Sequence, residues 1–181
     1  ALADDKVDPA TIATALRSAQ LTAANYSAAL KQAGIEPADI ATQLKVQGRN
    51  YNQIATELKA DYYDLTTILE ALKTSGADLA AQTAALKSLG MKTPEVIAML
   101  LKQKHADGDI AKVFMPANTQ PAPACDALRE AGWDWKRVLA ALRAAGSPLP
   151  TILTSLQAKH APVAELAAAL LASGSTEPEV S

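Results

Sequence analysis

The chain has 181 residues, only 4% aromatic side chains and a formal net charge of −2. This length can bury a substantial core, and the near-neutral charge gives no general attraction to nucleic acids or anionic membranes. The single cysteine, Cys125, excludes an internal disulfide framework and a cysteine-rich zinc site. Alanine and leucine dominate the apolar residues, which favours helices, and no apolar run approaches the roughly 18 residues that a membrane-spanning helix needs. The composition therefore predicts an all-α protein without a membrane span.

The sequence is periodic from residue 6 to residue 173, which divide without insertion into twelve rows of fourteen residues. We number the places in each row as repeat positions 1 to 14. Position 11 is leucine in every row except the eighth, where it is Phe114, and position 7 is isoleucine, valine or leucine in nine rows. Seven of the eight glycines fall in phase with position 1, where a helix end often turns through the left-handed region. Each row therefore predicts one helix, from about position 4 to position 13.

Taken in chain order, residues 1–5 form an N-terminal tail, residues 6–117 hold repeats 1 to 8, residues 118–173 hold repeats 9 to 12, and residues 174–181 form a polar C-terminal tail. Position 3 supplies candidate N-cap residues in six rows, and Asn50 with Gln53 has the spacing of a capping box. Helices of ten residues are about 15 Å long and marginal alone. They must stack on their neighbours, so we predict an α-solenoid or superhelix of about twelve short helices.

The pattern weakens in two rows. In row eight, residues 104–117, Gly108 lies in the first helical turn and Pro116 ends the helix; we interpret residues 115–121 as a connector, either a hinge or a tolerated irregularity. The last row, residues 160–173, is rich in alanine and leucine around most of its circumference. Because the final helix of a solenoid needs a polar outer face, we expect either further rows or self-association through the C-terminal helix.

The sequence shows no catalytic constellation, metal site or cofactor motif, so we expect a protein that is not an enzyme. His105 and His160 lie four rows apart, each in or next to a turn between predicted helices, and we do not expect them to bind a metal. Cys125 occupies repeat position 8, where we expect a small buried side chain rather than a nucleophile.

Two sets of residues are candidates for binding. Exposed aromatic residues often anchor interfaces, which makes Tyr62, Tyr63, Trp133 and Trp135 candidate partner-binding residues, although Tyr63 and Trp133 also suit a structural role at position 2. Lysine or arginine occupies position 12 in eight rows. A periodic ridge of cations can neutralise successive phosphates of a polyanion, but a cation in the last turn also complements the helix dipole. The candidate ridge residues are Lys31, Lys45, Lys59, Lys73 and Lys87.

The array of residues 6–173 resembles tandem short repeats of the form Gly-x-x-x-x-x-Ile-Ala-x-x-Leu-Lys in bacterial surface or secreted proteins. The resemblance implies a secreted or cell-surface location and no established activity. We therefore predict a helical-repeat module, part of a larger bacterial protein, that binds a protein partner or neighbouring repeats or serves as a structural spacer. The alternative is a nucleic-acid-binding array that uses the periodic Lys and Arg residues.

Overall fold

The computed structural model describes residues 11–12, 14–15, 23–115 and 121–172. Within these residues all regular secondary structure is helical, with no strand, which confirms the predicted all-α class. None of the described helices is long and apolar enough to cross a bilayer. The helices from residue 23 onward are α1 (Ala23–Gln32), α2 (Pro37–Val46), α3 (Tyr51–Ala60), α4 (Leu65–Thr74), α5 (Leu79–Ser88), α6 (Thr93–Lys102), α7 (Asp107–Val113), α8 (Ala122–Glu130), α9 (Trp135–Ala144), α10 (Leu149–Ala158) and α11 (Val163–Ala172).

Helix starts recur every fourteen residues, apart from a one-residue delay at α8, and most helices occupy positions 4 to 13 as predicted. Side chains at position 3 cap four of these starts. Asn50 Oδ1 accepts a bond from the Gln53 N–H at 2.9 Å, and Gln53 Oε1 accepts one from the Asn50 N–H at 3.0 Å, which completes the predicted capping box. Asp64, Asp78 and Asp134 each accept the same bond from the N–H three residues on. Each bond satisfies a backbone donor that the helix leaves unpaired.

A repeated turn ends the helices. After α2, the Gly48 N–H donates to the Lys45 carbonyl at 2.9 Å and the Arg49 N–H donates to the Leu44 carbonyl at 3.1 Å, the paired bonds of a Schellman motif. Gly48 has φ of +82°, in the left-handed region that glycine enters at little cost. Position 1 adopts this conformation in three rows without glycine, at Tyr62, Lys104 and His160.

The core follows the two predicted columns. Position 7 is buried in every helix from α1 to α11. This includes the three helices in which the residue there is not isoleucine, valine or leucine, namely at Tyr26, Gln82 and Ala124. Position 11 is buried from Leu30 to Leu156, and Phe114 fills that place in row eight. The two columns lie four residues apart, so they form one stripe along each helix.

The chain divides into two compact units, Ala1–Gly90 and Met91–Ser181. In the first unit, α1 packs against α2 and α3, α2 against α4, and α3 against α5. In the second unit, α6 packs against α8, α7 against α9, α8 against α10, and α9 against α11. Within each unit, contacts therefore reach the next helix but one as well as many adjacent helices, which is how short helices gain stability by stacking. The superhelix and the division at residues 117 and 118 stay predictions, and residues 116–120 of the expected connector lie outside the described residues.

Row eight keeps the fold through a close helix contact. Gly108, in the first turn of the seven-residue helix α7, is buried, and a Cβ added there would lie 2.7 Å from the Ala144 Cβ of α9. Real carbon atoms pack at about 3.5–4.0 Å. The glycine that weakens the sequence pattern is therefore the residue that lets α7 and α9 approach each other.

Candidate functional site

Tyr62 is the most exposed of the candidate binding residues. Its side chain is 94% exposed in the turn between α3 and α4. Its φ of +62° places a bulky residue in the left-handed region, which costs of order 1 kcal/mol or more. The turn nevertheless keeps its bonds, since the Tyr62 N–H donates to the Lys59 carbonyl at 3.0 Å and the Tyr63 N–H donates to the Leu58 carbonyl at 3.2 Å. The chain thus holds an exposed aromatic ring in a strained conformation at a position where six of the twelve rows have glycine.

Tyr63, the next residue, has a structural environment. Its ring is half-buried and packs against the core of the first unit. The Lys31 Nζ lies 4.4 Å from the ring centroid and donates to the Asp61 carbonyl. Burial, together with the nearby carboxylates of Asp61 and Glu36, raises the pKa of the Tyr63 hydroxyl. Tyr63 therefore stays neutral, and Lys31 ties α1 to the turn that presents Tyr62.

The two tryptophans lie beneath arginines of the second unit. Trp133 is only 4% exposed, and the Arg137 guanidinium lies 3.7 Å from its ring. Arg137 also binds the Asp107 carboxylate through two bonds of 2.7 and 2.8 Å. The hydrogen bonds to Asp107 are the largest cause of the raised pKa of Arg137. Trp135 is half-buried under the Arg129 guanidinium at 4.4 Å, and Arg129 donates to the Trp133 carbonyl. Burial thus supports a structural role for Trp133, while part of Trp135 stays accessible.

The candidate lysine ridge is exposed and lies in the last helical turns. Some of its members have partners within the chain. The Lys45 Nζ lies 3.7 Å from the Tyr51 ring, six residues on, which is the spacing of Arg129 and Trp135. Because alternate helices of the first unit pack together, the ridge falls into two sets, Lys31 with Lys59 and Lys87, and Lys45 with Lys73.

Cys125 lies in the core at position 8, as expected, and is a free cysteine. Burial above all, and then the Asp126 carboxylate, raises the pKa of its thiol to about 11, while Lys159 and a backbone hydrogen bond act in the opposite direction. The thiol is therefore protonated near neutral pH, and a protonated buried thiol is a poor nucleophile and metal ligand.

Among the described residues, no three His, Cys, Asp or Glu side chains gather as metal ligands do. His105 is half-buried and His160 is exposed, each in the turn region after a helix. A depression at the turn between α9 and α10, lined by Arg143, Ser147 and Pro150 among others, is open to solvent. This depression is not enclosed, whereas clefts that hold small molecules bury most of the ligand surface.

An ion pair in the first unit was not foreseen from the sequence. Arg49 Nε lies 3.5 Å from Glu57 Oε1, while Glu57 Oε2 is buried and has no hydrogen-bond partner. Burial raises the pKa of Glu57, Arg49 lowers it by a smaller amount, and Asp61 raises it. The spacing of eight residues, from the turn before α3 to its second helical turn, was the signal in the sequence for this pair.

Comparison with protein-family models, with curated proteins and with solved structures found no match.

Proposed function

We propose that this chain is a non-enzymatic helical-repeat module that binds a protein partner or spaces the domains of a larger bacterial protein, as its resemblance to short bacterial repeats suggests. The observation that carries the proposal is Tyr62, whose ring is 94% exposed at φ of +62°. Relaxing this turn would require only glycine, the residue at the equivalent place in six of the twelve rows. Strain of this kind concentrates at functional sites, and exposed tyrosines are common anchors of protein interfaces.

The surroundings of Tyr62 support a rigid binding surface. The Lys31 bond to the Asp61 carbonyl and the packing of Tyr63 on the core fix the turn from both sides. A pre-organised aromatic residue loses little conformational entropy when it binds. Trp135 offers a second, partly accessible aromatic ring in the other unit.

A matched pair of variants tests this role. Tyr62→Gly removes the ring, whereas Lys104→Gly relaxes a turn of the same φ, +62°, and removes no aromatic group. We expect proteins captured from extracts of the producing cells to bind the parent chain and Lys104→Gly, and to lose about tenfold or more in affinity for Tyr62→Gly. Equal binding by both variants would refute the role of Tyr62.

The alternative function is nucleic-acid binding by the position 12 cations, which the exposure of Lys59 and Lys73 favours. Such binding weakens steeply with salt because counterions are released. A titration of duplex DNA at low salt, with Lys59→Gln/Lys73→Gln as the control, separates the two functions. We expect no salt-dependent association; tight binding that the double variant weakens would establish the alternative instead.

A further inference from the structure

Two stacks of an arginine on a tryptophan lie where α8 is joined to α9. The Arg137 guanidinium lies 3.7 Å from the ring centroid of Trp133, and the Arg129 guanidinium lies 4.4 Å from that of Trp135. Only one residue separates Trp133 from Trp135 in the chain. The two stacks pair the same residue types but differ in whether an anion neutralises the arginine.

The stack of Arg137 on Trp133 has its anion within the chain. Trp133 is buried, and the Asp107 carboxylate accepts bonds from Arg137 Nε at 2.7 Å and from Arg137 Nη2 at 2.8 Å. The two oxygens of a carboxylate match the planar fork of a guanidinium and supply the opposite charge. Arg137 thus has an aromatic ring against its face and a carboxylate at its edge.

The stack of Arg129 on Trp135 lacks such an anion. Arg129 Nη1 donates to the Trp133 carbonyl at 2.5 Å, and this bond together with the Trp135 ring holds the guanidinium in place. Arg129 is exposed, and it forms no ion pair with any residue that the structure describes. Its Nε and Nη2 donors likewise have no acceptor in the described part of the chain. The guanidinium is therefore ordered, charged and open at its edge.

The repeat does not require a tryptophan at this place. Arg129 and Trp135 occupy repeat positions 12 and 4, six residues apart. In six of the eight rows with a cation at position 12, the next position 4 is alanine, proline, leucine or threonine. The other aromatic case, Tyr51 next to Lys45, also donates its hydroxyl to the Ser75 carbonyl at 3.2 Å. The stack of Arg129 on Trp135 is therefore a feature beyond what the helical array needs.

We propose that Arg129, held on Trp135, binds a carboxylate of a partner protein, supplied by a glutamate or aspartate side chain. The two carboxylate oxygens accept bonds from Arg129 Nε and Nη2, the same two donors with which Arg137 holds Asp107. Because the ring already orders the guanidinium, binding costs little side-chain entropy. The inference rests on the proposed function as a protein-binding module, and it names the chemistry of one contact.

The charges near Arg129 favour a single carboxylate over a polyphosphate chain. Asp126 and Glu130 lie on the same helix as Arg129, and both are exposed. Lys159 pairs with Asp126 at 2.7 Å, whereas Glu130 has no such partner among the described residues. Nucleic-acid binding needs several cations that neutralise successive phosphates, and these carboxylates oppose it. One carboxylate needs only the open edge of Arg129.

An NMR titration of the full chain tests the proposal. The probe is a peptide of six glutamates, and a peptide of six glutamines at the same pH and ionic strength is the reference. We expect the glutamate peptide alone to shift the Arg129 Nε–H and Trp135 indole N–H signals in a saturable way. The indole signal of the buried Trp133 should move less.

Three variants separate the proposed contact from general charge attraction. Arg129→Gln should weaken binding of the glutamate peptide by about tenfold, because two charge-assisted bonds are lost. Arg129→Lys should weaken it by about threefold or more, since lysine keeps the charge but lacks the planar fork. Lys136→Gln is the matched control, because it removes an exposed cation next to Trp135 in the chain. It should change the affinity by less than about twofold.

Three results would overturn the proposal. The first is equal binding of the two peptides by the parent chain. The second is an equal loss of affinity in Lys136→Gln and Arg129→Gln, because binding would then follow net charge alone. The third is tighter binding of a six-nucleotide single-stranded DNA than of the glutamate peptide at the same ionic strength, which would favour the nucleic-acid alternative.

Circular dichroism of each variant checks that it remains folded, and the Arg129 and Lys136 side chains are both exposed. Tyr62→Gly should bind the glutamate peptide like the parent chain, because Tyr62 belongs to the other unit. Peptide binding without Tyr62-dependent capture would count against the Tyr62 anchor alone. Tyr62-dependent capture without peptide binding would count against the Arg129 site alone.

Discussion

Replacing Gly108 with alanine separates helix propensity from helix packing. Alanine is the better helix former by about 1 kcal/mol, so the helix alone would gain stability. In the folded chain the new Cβ would meet the Ala144 Cβ at 2.7 Å and the Ala144 backbone carbon at 3.0 Å. Relief requires a shift of about 1 Å toward an ordinary carbon contact, and overpacking of this kind costs about 1–3 kcal/mol. We expect the packing cost to outweigh the gain, with a net loss of up to about 2 kcal/mol.

Urea unfolding followed by circular dichroism measures this loss. Ala140→Gly, at an exposed site in α9, calibrates the propensity effect in the same array. Adding Ala144→Gly to Gly108→Ala removes the nearest contact, so the double variant should show a favourable coupling energy relative to the sum of the single changes. A gain of about 1 kcal/mol for Gly108→Ala alone would refute the close approach of α7 and α9.

Four further predictions concern the core, the turns and the titrating groups. Leu58→Ala should lower the free energy of unfolding by about 2–5 kcal/mol in a urea titration, because Leu58 is fully buried at position 11. Tyr62→Gly should raise it by about 1 kcal/mol, and Gly48→Ala, its mirror control with φ of +82° and no nearby atoms, should lower it by about the same amount. Cys125, with its thiol pKa raised to about 11 by burial, should resist alkylation at neutral pH until denaturant is added; rapid native labelling would contradict its burial. Burial raises the pKa of the Glu57 carboxyl, so this carboxyl binds a proton more tightly in the folded chain than in the unfolded chain. The contribution of Glu57 to stability should therefore decline as pH rises through the pKa of the folded state. Glu57→Gln should remove that decline in unfolding experiments across the acidic range.

The positions and bounds of the helices could be predicted because each row repeats the same local chemistry. Asn50, Asp64 and Asp78 act as caps, and Gly48 ends a helix, through bonds between residues close in sequence. The buried columns followed from the same period. In row eight the period held although its side chains changed, and Phe114 took the place of leucine.

Contacts between rows were the part that sequence reasoning missed. The Asp107 bond to Arg137 and the approach of Gly108 to Ala144 join residues 30 and 36 places apart, and the row pattern does not specify which helices pack side by side. Gly108 consequently looked like a defect. The candidate binding residues were predicted only in part. Position 2 indicated a structural role for Trp133, which is buried. The exposure of Tyr62, in contrast, depends on a left-handed turn that the row pattern does not specify at that residue.

Deleting a whole row tests the central claim that fourteen residues form one stacking unit. Removal of residues 51–64 deletes α3 and its turn and joins the N-cap Asn50 to Leu65, the first residue of α4. Removal of residues 51–57 deletes half as many residues but breaks the phase of every following row. We predict that the fourteen-residue deletion retains cooperative thermal unfolding, as measured by circular dichroism, and that the seven-residue deletion loses it. Equal loss of cooperative unfolding in both deletions would contradict the account.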